Sequence, residues 1–97
     1  MSIKNDVAVV VPTYNNPKTI KAVAMDILDH GFSPIIVDDG SDEPIEELFS
    51  EAEKAGIEFV RHERNRGKGQ AIVSGVKKAK ELGYKYAFTA QTEMGIS

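Results

Sequence analysis

The sequence contains no cysteine. A disulfide framework, a thiolate metal site and a cysteine nucleophile are all excluded. Charge of one sign is not in excess: 12 Lys and Arg stand against 15 Asp and Glu, a net charge of −3. Such a mildly acidic chain is poorly suited to general nucleic-acid or anionic-membrane binding. Long apolar runs are missing too. The longest, Val7 to Pro12, falls far short of the ~20 residues a membrane helix needs. The opening MSIKND has no apolar stretch of the signal-peptide kind. The expectation is a cytoplasmic protein with no membrane segment.

Glycine is absent where two common phosphate motifs require it. No glycine follows the first apolar strand, so a G-x-G-x-x-G dinucleotide fingerprint is not there. A Walker A loop needs glycine five residues before Gly67, and His62 occupies that place. Dinucleotide enzymes of the usual kind and P-loop NTPases are disfavoured. What remains is a chain of 97 residues, 41% apolar and 28% charged. That is one small folded domain with one core.

The apolar pattern predicts alternating strands and helices. Val7–Val11 is a continuous β-branched run, as in a strand buried on both faces. Pro12 ends it. Asn16-Pro17 reads as a helix start, and Ile20, Val23, Ala24, Ile27 and Leu28 share one helix face up to Gly31. Pro34–Val37 is a second strand. Pro44 opens a second helix with Ile45, Leu48, Phe49 and Ala52 inward, closed by Gly56. Ile57–Arg61 is a third strand, and Ala71, Ile72, Gly75, Val76, Ala79 and Leu82 mark a third helix. Tyr84–Ala90 is the fourth strand. The expected fold is a three-layer, Rossmann-like α/β unit. It has three helices and four parallel strands in spatial order 3-2-1-4, with the first strand central.

Ligands of open α/β sheets bind at the carboxyl ends of the strands. Polar residues collect at those ends: Pro12-Thr13-Tyr14-Asn15-Asn16, Asp38-Asp39-Gly40-Ser41, the loop from Arg61 to Gly69, and Gln91 with Glu93. Tyr14 offers a ring for a base to stack on. Asp39 can accept from a base or ribose donor. Gly40 lets backbone approach a ligand closely. Arg61, Arg64, Arg66 and Lys68 suit a diphosphate. Each has a plainer reading, as helix cap, turn or solvated charge. Lys68 opposes the dipole at a helix start, which asks for an anion. His30, before Gly31, reads as structural, and the role of His62 is open.

Three segments in order carry a resemblance. Val9–Asn15, Ile36–Ser41 and Asn65–Ala71 resemble the family 2 glycosyltransferases of the GT-A fold, especially the dolichyl-phosphate and other polyprenyl-phosphate sugar transferases. The match runs from about Val7 to Thr89. It implies a site for a UDP- or GDP-linked sugar. Nucleoside contacts are implied for Pro12, Thr13, Tyr14, Asn16 and Asp39, with Val37 beside the base and Gly67 and Lys68 near the phosphates. It also implies Mg²⁺ or Mn²⁺ on the diphosphate, held by an Asp-x-Asp after the fourth strand. Here that stretch reads Gln91-Thr92-Glu93, which leaves Glu93 as a thin metal candidate because hard cations favour paired carboxylates. In the family the acceptor-binding half and catalytic base lie downstream. The expectation is therefore a single domain, residues 1–97, that binds the donor nucleotide, stops before the acceptor half and transfers no sugar alone. A non-catalytic nucleotide-binding or interaction module is the alternative. A flavodoxin-like signalling domain fits less well, because its acid pair follows strand one and here Asp38-Asp39 follows strand two. The fourth strand is expected to present an unpaired edge that favours self-association.

Overall fold

A computed structural model describes residues 6–90. Four strands, β1 (Val7–Thr13), β2 (Ser33–Asp38), β3 (Glu58–Arg61) and β4 (Tyr86–Thr89), form one sheet in the order β3-β2-β1-β4. Every neighbouring pair is parallel. The order and direction are those expected from the sequence. Helices α1 (Pro17–Asp29), α2 (Glu51–Lys54) and α3 (Lys68–Glu81) connect the strands. Among the described residues no helix is long and apolar enough to cross a membrane.

β1 and β2 are central, which explains why their sequences do not alternate. α1 covers one face, packing Ile20, Ala24 and Ile27 against Val11 and Ile36, with Ile45, Phe49 and Ile57 completing that cluster. α3 covers the other face. Its buried residues are Ala71, Gly75 and Ala79, a stripe of small side chains four residues apart. The stripe seats α3 so closely that a Cβ on Gly75 would lie 2.2 Å from Val10 Cγ1. The expected apolar face of α3 was wider. Val76 and Leu82 are instead 41% and 47% exposed. Close seating on small residues leaves the larger ones at the flanks of the contact.

Pro12 ends the strand on one side only. Pairing of β1 with β4 stops at Val10↔Thr89, whereas pairing with β2 runs through Pro12↔Val37 to Thr13↔Asp38. Even-numbered β1 residues bond toward β4, as Ala90 N–H to Val10 C=O shows, and Pro12 has no N–H to continue that ladder. The chain thus reaches the carboxyl edge still bonded to β2.

The second predicted helix is broken in two. Ile45–Leu48 form a 3-10 turn, Phe49 is extended (φ −107°, ψ 143°), and α2 restarts at Ser50. Ser50 and Glu53 form a reciprocal capping box at 2.8 and 3.2 Å. The Ile45 N–H is drawn away to the Asp38 carboxylate. The break swings Phe49 into the core, its ring centroid 5.5 Å from that of Phe59. Leu48 and Ala52, read as inward from their spacing, are exposed. On the far side of the sheet β4 carries exposed Tyr86 and Phe88.

Candidate functional site

The carboxyl edge is built around two adjacent aspartates with different tasks. Alternation along β2 sends Asp38 toward the α1 face and Asp39 toward the α3 face. Asp38 is 3% exposed. Its Oδ1 accepts from Ser41 N–H at 2.9 Å, and its Oδ2 accepts from Ile45 N–H at 3.0 Å and Arg61 Nη1 at 3.1 Å. Arg61 Nη2 also donates to the Ser41 carbonyl at 2.9 Å. Arg61, read from the sequence as part of a basic loop facing a diphosphate, is spent on holding this turn.

The turn is tied to β1 by Asn15. Its N–H donates to Ser41 Oγ at 2.8 Å, and its Oδ1 accepts from Asp42 N–H at 2.9 Å. Asn15 has a positive φ of 51°, a conformation asparagine tolerates better than most residues. Gly40 (φ 84°) closes the turn, and a Cβ there would meet Arg64 C and Asn65 N at 2.5 Å. The backbone that glycine admits is thus that of the basic loop itself.

Asp39 fastens that loop. Its N–H donates to the Thr13 carbonyl at 2.8 Å. Its Oδ1 accepts from Arg66 N–H at 2.9 Å and lies 2.7 Å from His62 Nδ1. Its Oδ2 accepts from Gly67 N–H at 2.9 Å. A carboxylate only accepts, so His62 Nδ1 carries the proton. In the neutral ring His62 Nε2 then accepts from Ser74 O–H at 2.8 Å. By distance Ser74, His62 and Asp39 match a nucleophilic triad. Ser74 lies inside α3, however, where backbone N–H groups are spent on the helix, so none is left to form an oxyanion hole beside its Oγ.

Burial of the Asp39 carboxyl raises its pKa, but hydrogen bonds from His62, Arg66 and Gly67 outweigh that and hold it below 3.8. A depressed folded-state pKa contributes stability that is present above the unfolded value and lost as pH falls through the folded one. The Arg66 and Gly67 amides are therefore expected to keep their bonded chemical shifts as pH falls through 3.8, and to lose them below it. Amide NMR against pH measures this. A midpoint at or above 3.8 would contradict the assignment.

The sequence candidates fall into groups. Thr13, Asp39 and Gly67 are joined in series by hydrogen bonds, and Tyr14 and Lys68 adjoin the ends of that series. Tyr14 is 47% exposed and Lys68 is exposed as the first residue of α3. Pro12 and Val37 are paired and buried beneath, with the Val37 side chain packed among Val10 and Ala71. Asn16 sits apart as the N-cap of α1, its carbonyl accepting Ile20 N–H and its side chain making no cap bond. His62 and Ser74 are the residues sequence reasoning left without a role. The loop's reliance on Asp39 would have been hard to read, since the bonded amides lie 27 and 28 residues away.

Thr13 Oγ1 is buried with no hydrogen-bond partner among the described residues. An unpaired buried hydroxyl costs ~1–3 kcal/mol. Thr13→Val is expected to stabilise the chain by about 1 kcal/mol, raising the melting temperature by roughly 4–8 °C for a domain of this size. A lower melting temperature would show that the hydroxyl is bonded in solution.

No group of three or more His, Asp or Glu side chains is placed to hold a metal ion among the described residues, and Asp38 and Asp39 spend oxygens on the fold. Glu93 lies outside the described residues.

The glycosyl transferase family 2 model matches residues 8–84. A UDP-N-acetylglucosamine–dolichyl-phosphate N-acetylglucosaminyltransferase of Methanococcus voltae is 34% identical over 95 residues, 82% of this chain and 38% of the relative. Glycosyltransferase AglJ of Haloferax volcanii is 38% identical over 78 residues, 79% of this chain and 24% of the relative. The chain thus spans well under half the length of these curated relatives. The matched stretch holds the whole of β1 but its first residue, both aspartates, the loop and α3, and the chain belongs to glycosyl transferase family 2.

Proposed function

We propose that residues 6–90 form the donor-binding half of a glycosyltransferase, holding the nucleoside diphosphate of a UDP- or GDP-linked sugar. One observation carries this reading. Asp39 draws the end of β1, the basic loop and the start of α3 onto one edge. That places an exposed aromatic ring, Tyr14, and the exposed cations Arg64, Arg66 and Lys68 along the same edge. α3 begins without a side-chain cap or an acidic residue in its first turn. Its N-terminal N–H groups and dipole favour an anion such as a diphosphate. Tyr14 supplies a stacking surface and the loop supplies charge. The uridine diphosphate sugar named for the Methanococcus voltae relative is the first donor to test.

A second reading is a module that binds the nucleotide without transferring sugar. It is favoured by the state of the aspartate pair: both carboxylates are engaged within the fold, so neither stands ready as a general base. The 97-residue chain is expected to give no product from radiolabelled UDP- or GDP-sugars with polyprenyl-phosphate acceptors and Mn²⁺. Turnover above background that Asp39→Ala abolishes would replace this reading with an enzymatic one.

A further inference from the structure

Donor binding as described gives His62 no task, yet this ring is 8% exposed and makes two short polar contacts. It stands between α3 and Asp39. Ser74 in α3 fixes one nitrogen, and the other donates to Asp39 Oδ1. Asp39 in turn accepts the amides of Arg66 and Gly67, the two residues that precede Lys68. A carboxylate rotates easily about its last bond unless its acceptor sites are filled. Here Oδ1 carries both the ring and the Arg66 amide, so the ring sets the plane in which both amides are received. The relay runs from the body of α3, through a buried ring and a buried carboxylate, to the loop at the start of the same helix.

We propose that His62 is a positioning residue for the anion-binding loop. It touches no ligand, and it governs diphosphate affinity by holding Asp39 in the orientation that presents Arg66, Gly67 and Lys68. This rests on the donor-binding reading. Its effect on the loop is separately measurable.

Two near-isosteres divide the relay. His62→Asn keeps an N–H donor close to the Nδ1 position and loses Ser74. His62→Gln places its amide near the Nε2 position, keeping Ser74 and losing Asp39. Each full chain is titrated with UDP, GDP and inorganic pyrophosphate well below its melting temperature, and hydrogen exchange of the Arg66 and Gly67 amides is followed without ligand. His62→Gln is expected to weaken UDP binding roughly tenfold and to speed exchange of both amides by a similar factor, the loss of one hydrogen bond to a charged acceptor. His62→Asn is expected to stay within about threefold of the unaltered chain on both measures. Ser74→Ala, which also loses only the Ser74 contact, should likewise stay within about threefold.

Equal losses in the asparagine and glutamine variants would overturn the proposal. So would unchanged affinity and exchange alongside a lowered melting temperature, which would make His62 a packing group. If the unaltered chain bound none of the three anions, the donor-binding reading and the ligand half of this proposal would both fall. The asparagine-against-glutamine contrast in amide exchange would then decide the loop-holding half by itself.

Discussion

Gly75→Ala is expected to destabilise the chain strongly, although alanine is the better helix former by about 1 kcal/mol. The added Cβ would lie 2.2 Å from Val10 Cγ1 and 3.0 Å from Val37 Cγ2. Both valines are fully buried in the two central strands, so neither can swing aside into solvent. Overpacking of this kind costs ~1–3 kcal/mol and occasionally more, and a contact this short belongs at the upper end. The clash therefore outweighs the propensity gain, leaving a net loss of about 2 kcal/mol. The melting temperature should fall by roughly 8–16 °C. Thermal unfolding measures it. The partner of the clash is testable as well. Val10→Ala removes the methyl that is struck, so the double variant should lose less than the sum of the two single losses. Strict additivity, or a stabilised Gly75→Ala, would mean that α3 does not sit where the small-residue stripe places it.

Asp39→Ala is expected to have the second large effect, on both stability and binding. Removing the carboxylate leaves three donors, the His62 Nδ1–H and the amides of Arg66 and Gly67, without their acceptor. Buried donors left unpaired cost ~1–3 kcal/mol each where water cannot reach them. The ring is buried, whereas Arg66 is exposed and Gly67 half-buried, so water repays part of the amide loss. A stability loss of about 3 kcal/mol follows. The loop then no longer has a fixed place relative to β1. Nucleotide affinity should fall by about 2 kcal/mol, roughly thirtyfold. The size matches what loss of a direct ligand contact would give, but the cause differs. Much of Asp39's capacity to accept is already spent on the protein, so on the donor-binding reading its contribution is expected to run through the loop.

How far the sequence speaks for itself differs between the fold and the site. The alternation of elements and the strand order were legible because central parallel strands read as unbroken apolar runs and because helices stop at glycine. The break at Phe49 was not. Ile45, Leu48, Phe49 and Ala52 have helical spacing, and only the Asp38 contact to Ile45 and the Ser50–Glu53 box show that the segment is cut. At the site, residue types at strand ends pointed to the carboxyl edge as the place for a ligand. They did not say which charges face inward. Arg61 looks like its neighbours in sequence but lies opposite Asp38 in the ladder, and that register turns a cation into a brace. Asp38 and Asp39 are adjacent and chemically alike, and strand pleating alone sends them to opposite faces with separate tasks. Long-range amide contacts and strand register are tertiary facts, and a one-dimensional pattern does not carry them.

The central claim is that this edge binds the nucleoside diphosphate of a sugar donor. The most direct test is a calorimetric titration of the chain with UDP and with GDP, each with and without Mn²⁺, repeated on Asp39→Ala at a temperature where both proteins are folded. The account predicts saturable binding of at least one nucleotide at a single site, weakened roughly thirtyfold in Asp39→Ala. No heat of binding with either nucleotide, or identical affinity in the two proteins, would contradict it.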